Sequence, residues 1–321
     1  MKNEEQKEAI KNLKNQLSTI LIDKEDVIED ILVATLARGH VLLEDIPGIG
    51  KTVLVKGLSR ILGCSNRRIQ FTPDLLPSDV TGVSIFNQKT SEFEFRPGPI
   101  MANIVLADEI NRTSPKTQSS LLEAMEERQV TVDGSTYKLP EPFMVFATQN
   151  PIEHEGTYNL PEAQLDRFMI RCSIGYPSSE GEKQIINSQL NGEHPLDKLD
   201  SGQVISADQL MMLQNQVDSI KVNDEIIDYI VTLVRKTREY PSIYLGGSPR
   251  AALALIKASK AKAMLLDRTY VIPDDVKGMF KQVLCHRIIL HTDEVIQGEK
   301  ADAVLEKILN DTSVPIGKQV G

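Results

Sequence analysis

A glycine-rich turn separates an apolar run from a helix start in Val41-Leu42-Leu43-Glu44-Asp45-Ile46-Pro47-Gly48-Ile49-Gly50-Lys51-Thr52. Backbone N–H groups of such a turn converge on an anion, and the helix N-terminus adds its dipole. Lys51 supplies a point charge for β- and γ-phosphates, and the Thr52 hydroxyl is placed to ligate Mg²⁺. The pattern G-x-x-x-x-G-K-[ST] is met except at its first position, which holds Asp45. Asn103-Ile104-Val105-Leu106-Ala107-Asp108-Glu109 is an apolar run ending in two acids. It reads as a buried parallel strand delivering charge to its C-terminal end, where ligands bind in open α/β sheets. Asp108 is expected to hold the metal, and Glu109 to polarise the attacking water. A third run, Phe143 to Thr148, ends in Gln149-Asn150-Pro151, and an amide there can orient that water. Arg167 and Arg250 follow, each able to clamp phosphate in bidentate fashion. Singly, these features have ordinary explanations: a Gly/Pro turn, an acidic turn, an arginine at a helix end. Their order along one chain carries the argument.

The words LLEDIPGIGKT, LADEINRTSPKTQSSLLEAMEERQVTVDG, ATQNP, LPEAQLDRF and GSPRA run from residue 42 to residue 251. In that order they resemble the AAA+ ATPases, specifically the MoxR family of the helix-2-insert branch. The resemblance implies an α/β fold: a P-loop AAA+ core with a five-stranded parallel sheet and two β-hairpin inserts, followed by an all-α lid domain. It implies ATP and Mg²⁺ as cofactors. Pro47, Gly48, Ile49, Gly50, Lys51, Thr52 and Val53 would surround the nucleotide, with Thr52 and Asp108 on the metal. The catalytic set would be Glu109, Asn150 as sensor 1, Arg167 as arginine finger and Arg250 as sensor 2. Arg250 is expected at the nucleotide held between lid and core. Arg167 is expected to reach a neighbour's nucleotide, the alternative being an intrachain ion pair with Asp166 or Glu162. Asp23 stands near the adenine, where the family usually has Gly.

The function so implied is Mg-dependent ATP hydrolysis driving chaperone-like remodelling, maturation or metal-cofactor activation of partner proteins, often with VWA domains. The working form would be a homo-oligomer, expected as a hexameric ring. A magnesium-chelatase-like subunit, a nucleic-acid motor and a non-hydrolysing nucleotide sensor are the alternatives. The intact Asp108-Glu109 pair argues against a sensor. The net charge of −9, with no basic block, argues against a nucleic-acid partner. Arg67-Arg68 reads as a solvated strand end.

With 321 residues there is room for about two domains. The boundaries expected are 1–177 for the nucleotide-binding core, 178–205 for a linker and short helix, and 206–321 for the helical lid. No apolar stretch approaches the ~18 residues of a membrane span, and the charged N-terminus lacks an apolar signal core. No membrane insertion and a cytoplasmic location are expected. Cys64, Cys172 and Cys285 are widely spaced and read as reduced, partly buried thiols; the five histidines form no zinc pattern.

Apolar spacing predicts two helices in 1–38 and strands at 41–44, 68–71, 104–107, 143–148 and 168–174. Alternation around 87–92 and around Asp133-Gly134 predicts two hairpins, with a helix over 115–128 between them. These hairpins either decorate a sheet edge or touch a substrate protein; Phe86, Phe93 and Phe95 are the apolar candidates, and core packing accounts for them equally well. Helices are predicted at 210–220, 224–239, 248–266, 272–289 and 301–309.

Overall fold

Residues at helical spacing, Leu13 and Leu17, then Ile28, Ile31 and Leu32, form the buried faces of α1 (Asn3–Ile20) and α2 (Glu25–Leu36). The structure is a computed structural model and describes residues 3–46, 48–150, 157–199 and 204–315. The sheet-building part continues with β1 (Val41–Glu44), α3 (Lys51–Ile61), β2 (Asn66–Gln70) and α4 (Pro77–Thr81). A hairpin of β3 (Gly82–Asn87) and β4 (Glu92–Pro97) precedes β5 (Ile104–Asp108) and α5 (Pro115–Glu127). A second hairpin, β6 (Gln129–Val132) and β7 (Ser135–Lys138), precedes β8 (Met144–Gln149), α6 (Glu162–Leu165) and β9 (Ile170–Cys172).

Five strands form one parallel sheet in the order β2-β5-β8-β1-β9. Strands β1, β5 and β8 are apolar runs because both faces are covered. Register places Gln70 beside Asp108 and Glu44 beside Gln149, so the polar residues that close these strands gather at one end. Two strands differ from the sequence expectation. β2 begins at Asn66 and ends at Gln70, because an edge strand needs no apolar run and its start is polar. β9 is only Ile170–Cys172, because Ser173, Ile174 and Gly175 leave the ladder to bind the Asp45 carboxylate.

Neither hairpin joins the main sheet. The Phe95 ring stacks on Tyr137 at 3.9 Å and ties the hairpins together, so packing explains Phe95. Phe86 and Phe93 are instead 50% and 74% exposed, in edge contact with each other.

After α7 (Ser179–Leu190) come α8 (Ala207–Asp218), α9 (Asp224–Glu239), β10 (Ile243–Leu245), α10 (Pro249–Leu265) and α11 (Pro273–Leu284). β11 (Ile289–Leu290), α12 (Thr292–Ile296) and α13 (Ala301–Asn310) complete the described chain. The fourth predicted lid helix stops at Leu284 rather than reaching 289, and β11 pairs antiparallel with β10. The C-terminal part is therefore helical apart from one short ladder. One apolar core runs without a break from α1, α2 and α3 through Leu213, Leu255 and Ala258 to Leu284; a second core fills the other sheet face under α5. No described helix is long and apolar enough to cross a membrane. All three cysteines are buried and free, and burial pushes the thiols of Cys64 and Cys285 up to about 11, so they stay protonated.

His40, just ahead of β1, is buried and joins α5 to the sheet. Its Nδ1 accepts the Val145 N–H at 3.0 Å, and its Nε2 faces the Met125 carbonyl at 3.3 Å. Only the neutral ring with hydrogen on Nε2 fits both partners. Burial, with Arg128 nearby, lowers its pKa to about 3. A folded pKa below the unfolded value near 6.5 contributes stability present above pH ~6.5 and lost as pH falls toward 3. The native chain should therefore melt progressively lower between pH 7 and pH 4. His40→Phe should start lower at pH 7.5, having lost two hydrogen bonds, but fall less steeply. Parallel slopes in the two melting series would remove His40 as a source of acid sensitivity.

Candidate active site

Gly48 and Gly50 adopt φ of +87° and +92°, the left-handed region that glycine enters without cost. A side chain at either would meet open space, so the requirement is one of backbone conformation. Gly50 caps α3, whose free N–H groups begin at Lys51. Gly48, Gly50, Lys51, Thr52 and Val53 line one wall of a cavity of about 270 Å³. Ile49 packs on the apolar core instead. Pro47 lies outside the described residues.

Asp45 explains the missing first glycine of the motif. Its buried carboxylate accepts from Ile174 N at 2.6 Å, Gly175 N at 3.1 Å and the Ser173 hydroxyl at 2.7 Å. The residue thus anchors the turn to the chain leaving β9. Its carbonyl accepts from Lys51 Nζ at 2.8 Å. Burial lowers the Lys51 pKa, opposed by the charges of Asp45, Asp108 and Glu109. Asp23, at φ +58°, adopts the conformation that a glycine there would supply, and its carboxylate is held by the Ser178 hydroxyl.

The facing wall holds Asp108, Glu109, Thr148 and Asn150. Thr148 donates to Asp108 Oδ1 at 2.7 Å and accepts the Glu109 N–H at 2.8 Å, so one hydroxyl sets both acids. Glu109 is held at φ +58°, rare for a residue with a side chain and typical of functional positions. Asn150 is buried at the end of β8. The remaining lining comes from Asp45 and from Arg68 and Gln70 on β2. Arg68 is no solvated strand end: its Nε and Nη2 donate to Asp108 Oδ2 at 3.0 and 2.6 Å. Gln70 Nε2 and Arg112 Nη1 donate to Glu109 Oε2 at 2.7 and 3.0 Å. The i, i+2 spacing of Arg68 and Gln70, which puts both on one strand face, was the available signal.

Arg167 and Arg250 are not in this cavity. Both pair with Glu126 on α5: Arg167 at 2.9 Å and Arg250 at 3.0 Å. Neither Asp166 nor Glu162 takes Arg167, since Asp166 is occupied elsewhere. The two guanidinium groups line a separate cavity of about 200 Å³ with His40, Met125, Glu126 and Asp166. His40 precedes β1 and Asp45 follows it. Five residues of extended chain span about 16 Å, so the arginines sit at the N-terminal end of the strands and the phosphate loop at the C-terminal end. The expected place of Arg250, against its own chain's nucleotide, is therefore not where the fold puts it. α10 begins beside Asp166, where the Ser248 hydroxyl donates to the carboxylate at 3.1 Å.

Arg287, which sequence reasoning did not single out, locks this arrangement. It lies just beyond α11, and its side chain is 3% exposed. Nε donates to Asp166 Oδ1 at 2.6 Å, Nη1 to the Met169 carbonyl at 2.9 Å, and Nη2 to the Asp166 and Phe168 carbonyls at 3.1 and 2.6 Å. The chain on both sides of Arg167 is thus fastened to the C-terminal helices.

A glycine-rich turn opening a helix, an acid pair on the next-but-one strand, and a helical unit packed behind the sheet define a P-loop protein of the AAA class. Residues 40–170 match the family described as "ATPase family associated with various cellular activities (AAA)", and residues 235–308 match the AAA lid domain. The chain is 53% identical to the uncharacterized protein YeaC of Bacillus subtilis, over 94% of this chain and 93% of that one. It is 41% identical to the chaperone MoxR1 of Mycobacterium tuberculosis, over 94% of this chain and 81% of that one. A crystal structure of a candidate ATPase from Cytophaga hutchinsonii superposes with a TM-score of 0.89 at 36% identity, covering 98% and 97% of the two chains. The chain belongs to the MoxR family of AAA+ ATPases.

Arg287→Met should cost about 3–5 kcal/mol, because it leaves the Asp166 carboxylate and several carbonyls without their partner. Thermal or urea unfolding measures this. A loss below about 1 kcal/mol would show that the cluster is not a structural lock.

Proposed function

We propose that the chain hydrolyses Mg-ATP in the Lys51–Asp108–Glu109–Asn150 cavity and that a ring of identical subunits couples this to remodelling of client proteins. Lys51 and the N-terminus of α3 face the β- and γ-phosphates. The Thr52 hydroxyl and Asp108 carboxylate are hard oxygen donors that suit Mg²⁺, and Asp108 Oδ2 already faces a cationic side chain. Bound there, Mg²⁺ would neutralise charge on the bridging phosphate oxygens. Glu109 accepts a proton from the attacking water, and the Asn150 amide orients that water.

The observation that carries the ring is the placement of Arg167 and Arg250 at the opposite end of the sheet from their own phosphate loop. They share one carboxylate, Glu126, and a phosphate group from a second subunit would replace it with more charge and bidentate geometry. A head-to-tail contact that brings this end of one subunit to the phosphate loop of the next is heterologous and closes as a ring, with a hexamer as the expected count. The exposed Phe86 and Phe93 of the first hairpin offer an apolar contact for a client. Similarity to a protein named as a chaperone supports remodelling as the output, and partners carrying VWA domains are the class proposed.

Lys51→Ala should weaken ATP binding about 100-fold or more by removing a charge-assisted contact. Glu109→Gln should retain binding and lose about 10²–10⁴-fold in turnover. Arg167→Ala and Lys51→Ala subunits should each be nearly inactive, and mixing them should restore part of the ATPase. No recovery on mixing, with activity strictly linear in protein concentration, would rule out the shared site. Proteins retained by the Glu109→Gln form in ATP would identify the client.

A further inference from the structure

The acids of the phosphate cavity are paired with side chains of the chain itself. Asp108 has one oxygen on Thr148 and the other on Arg68, at 2.7 and 2.6 Å. Arg68 Nη2 also donates to Gln70 Oε1 at 2.6 Å, which turns the other end of that amide toward Glu109 at 2.7 Å. The Arg68 side chain is half exposed while that of Asp108 is largely covered, so the cation can leave and the acid cannot. Arg68 comes from the edge strand β2, and among the described residues no strand lies beyond it to confine the side chain.

We propose that Arg68 is a displaceable counter-cation that holds the metal-facing oxygen of Asp108 until Mg²⁺ takes it. The inference rests on reading this cavity as the Mg-nucleotide site. Two consequences follow from the geometry. Arg68 and Mg²⁺ compete for one carboxylate oxygen, so the arginine weakens metal binding and keeps a nucleotide-free subunit from retaining metal. Arg68 also orients Gln70, and Gln70 holds Glu109, so departure of the guanidinium removes the constraint that orients Gln70 onto the water-polarising carboxylate. Arrival of the metal thus loosens the Gln70 contact on Glu109, while Arg112 still holds the same carboxylate at 3.0 Å. Arg68 is in this account a positioning residue, acting through Asp108 and Gln70.

The test compares the native chain with Arg68→Met and Arg68→Lys, using Mg²⁺ itself as the probe. Without nucleotide, 10 mM Mg²⁺ should leave the native melting temperature nearly unchanged and raise that of Arg68→Met by about 2–4 °C. With a fluorescent ADP analogue bound, the Mg²⁺ midpoint should fall about tenfold in Arg68→Met, within the usual range for two coupled ligands. Arg68→Lys keeps a cation but loses the fork, and should lie between; it also serves if the Met variant folds poorly. Damage to the site would weaken metal binding, so tightening is the distinguishing sign. If the native chain binds Mg-nucleotide and the variants' midpoints coincide with its own or rise, the proposal is overturned and the site reading stands. If the native chain binds no nucleotide, both fall.

Discussion

A parallel sheet covered on both faces can carry polar chemistry only at its two ends. The interiors of β1, β5 and β8 are apolar because helices pack on either side, and an uncompensated charge there would carry a heavy desolvation cost. Since all five strands point the same way, their two ends are chemically different. The C-terminal end collects the glycine turn, the acid pair and Asn150. The N-terminal end collects His40, Asp166, Arg167 and, through the start of α10, Arg250. One subunit cannot bring these together, because the strand length itself separates them. The proposed shared site follows from that constraint.

Two carboxylates, Asp45 buried and Asp166 largely covered, keep each end in place. Asp45 uses its charge to receive three donors from the chain leaving β9, so the phosphate turn and the last sheet strand move together. Asp166 does the same at the other end with Arg287 and Ser248. A buried ion pair adds little net stability relative to apolar replacement of both partners, although removing one partner alone is costly. The effect of both carboxylates here is geometric: the hydrogen bonds of Asp45 fix the backbone that carries Lys51, and the ion pair of Asp166 with Arg287 fixes that of Arg167. Because Arg287 follows α11, movement of the C-terminal helices would be transmitted to the arginine end of the sheet.

The phosphate cavity shows the complementary device. Lys51 rests on a carbonyl, Asp108 on Arg68, and Glu109 on Gln70 and Arg112. Each of these three charges therefore has a partner on this chain, and under the proposed function a nucleotide would exchange partners rather than open an uncompensated site. Glu109 sits at positive φ with its N–H held by Thr148 and its carboxylate by Gln70 and Arg112.

The sequence by itself determined the phosphate turn, the acid pair, Asn150, four of the five strands within a residue or so at their starts or ends, and both hairpins. These are local: glycine positions, apolar runs and Asp-Gly turns depend on neighbours a few residues away. It also pointed to Arg167 and Arg250 as functional through their place in the motif order, but misplaced Arg250 and offered Arg167 the wrong intrachain partners. Which carboxylate an arginine meets depends on elements far apart in the chain: Glu126 is on α5, and Arg250 opens a helix more than a hundred residues later. Arg68, Gln70 and Arg287 were passed over for the same reason. Their polar character looks like ordinary surface until the register of β2 against β5 puts Gln70 beside Asp108, and until the end of α11 reaches Asp166. Local pattern names the candidate groups. Only tertiary packing decides which charges face each other, because electrostatic partnership depends on distance in space and on burial, and neither is written in the order of residues.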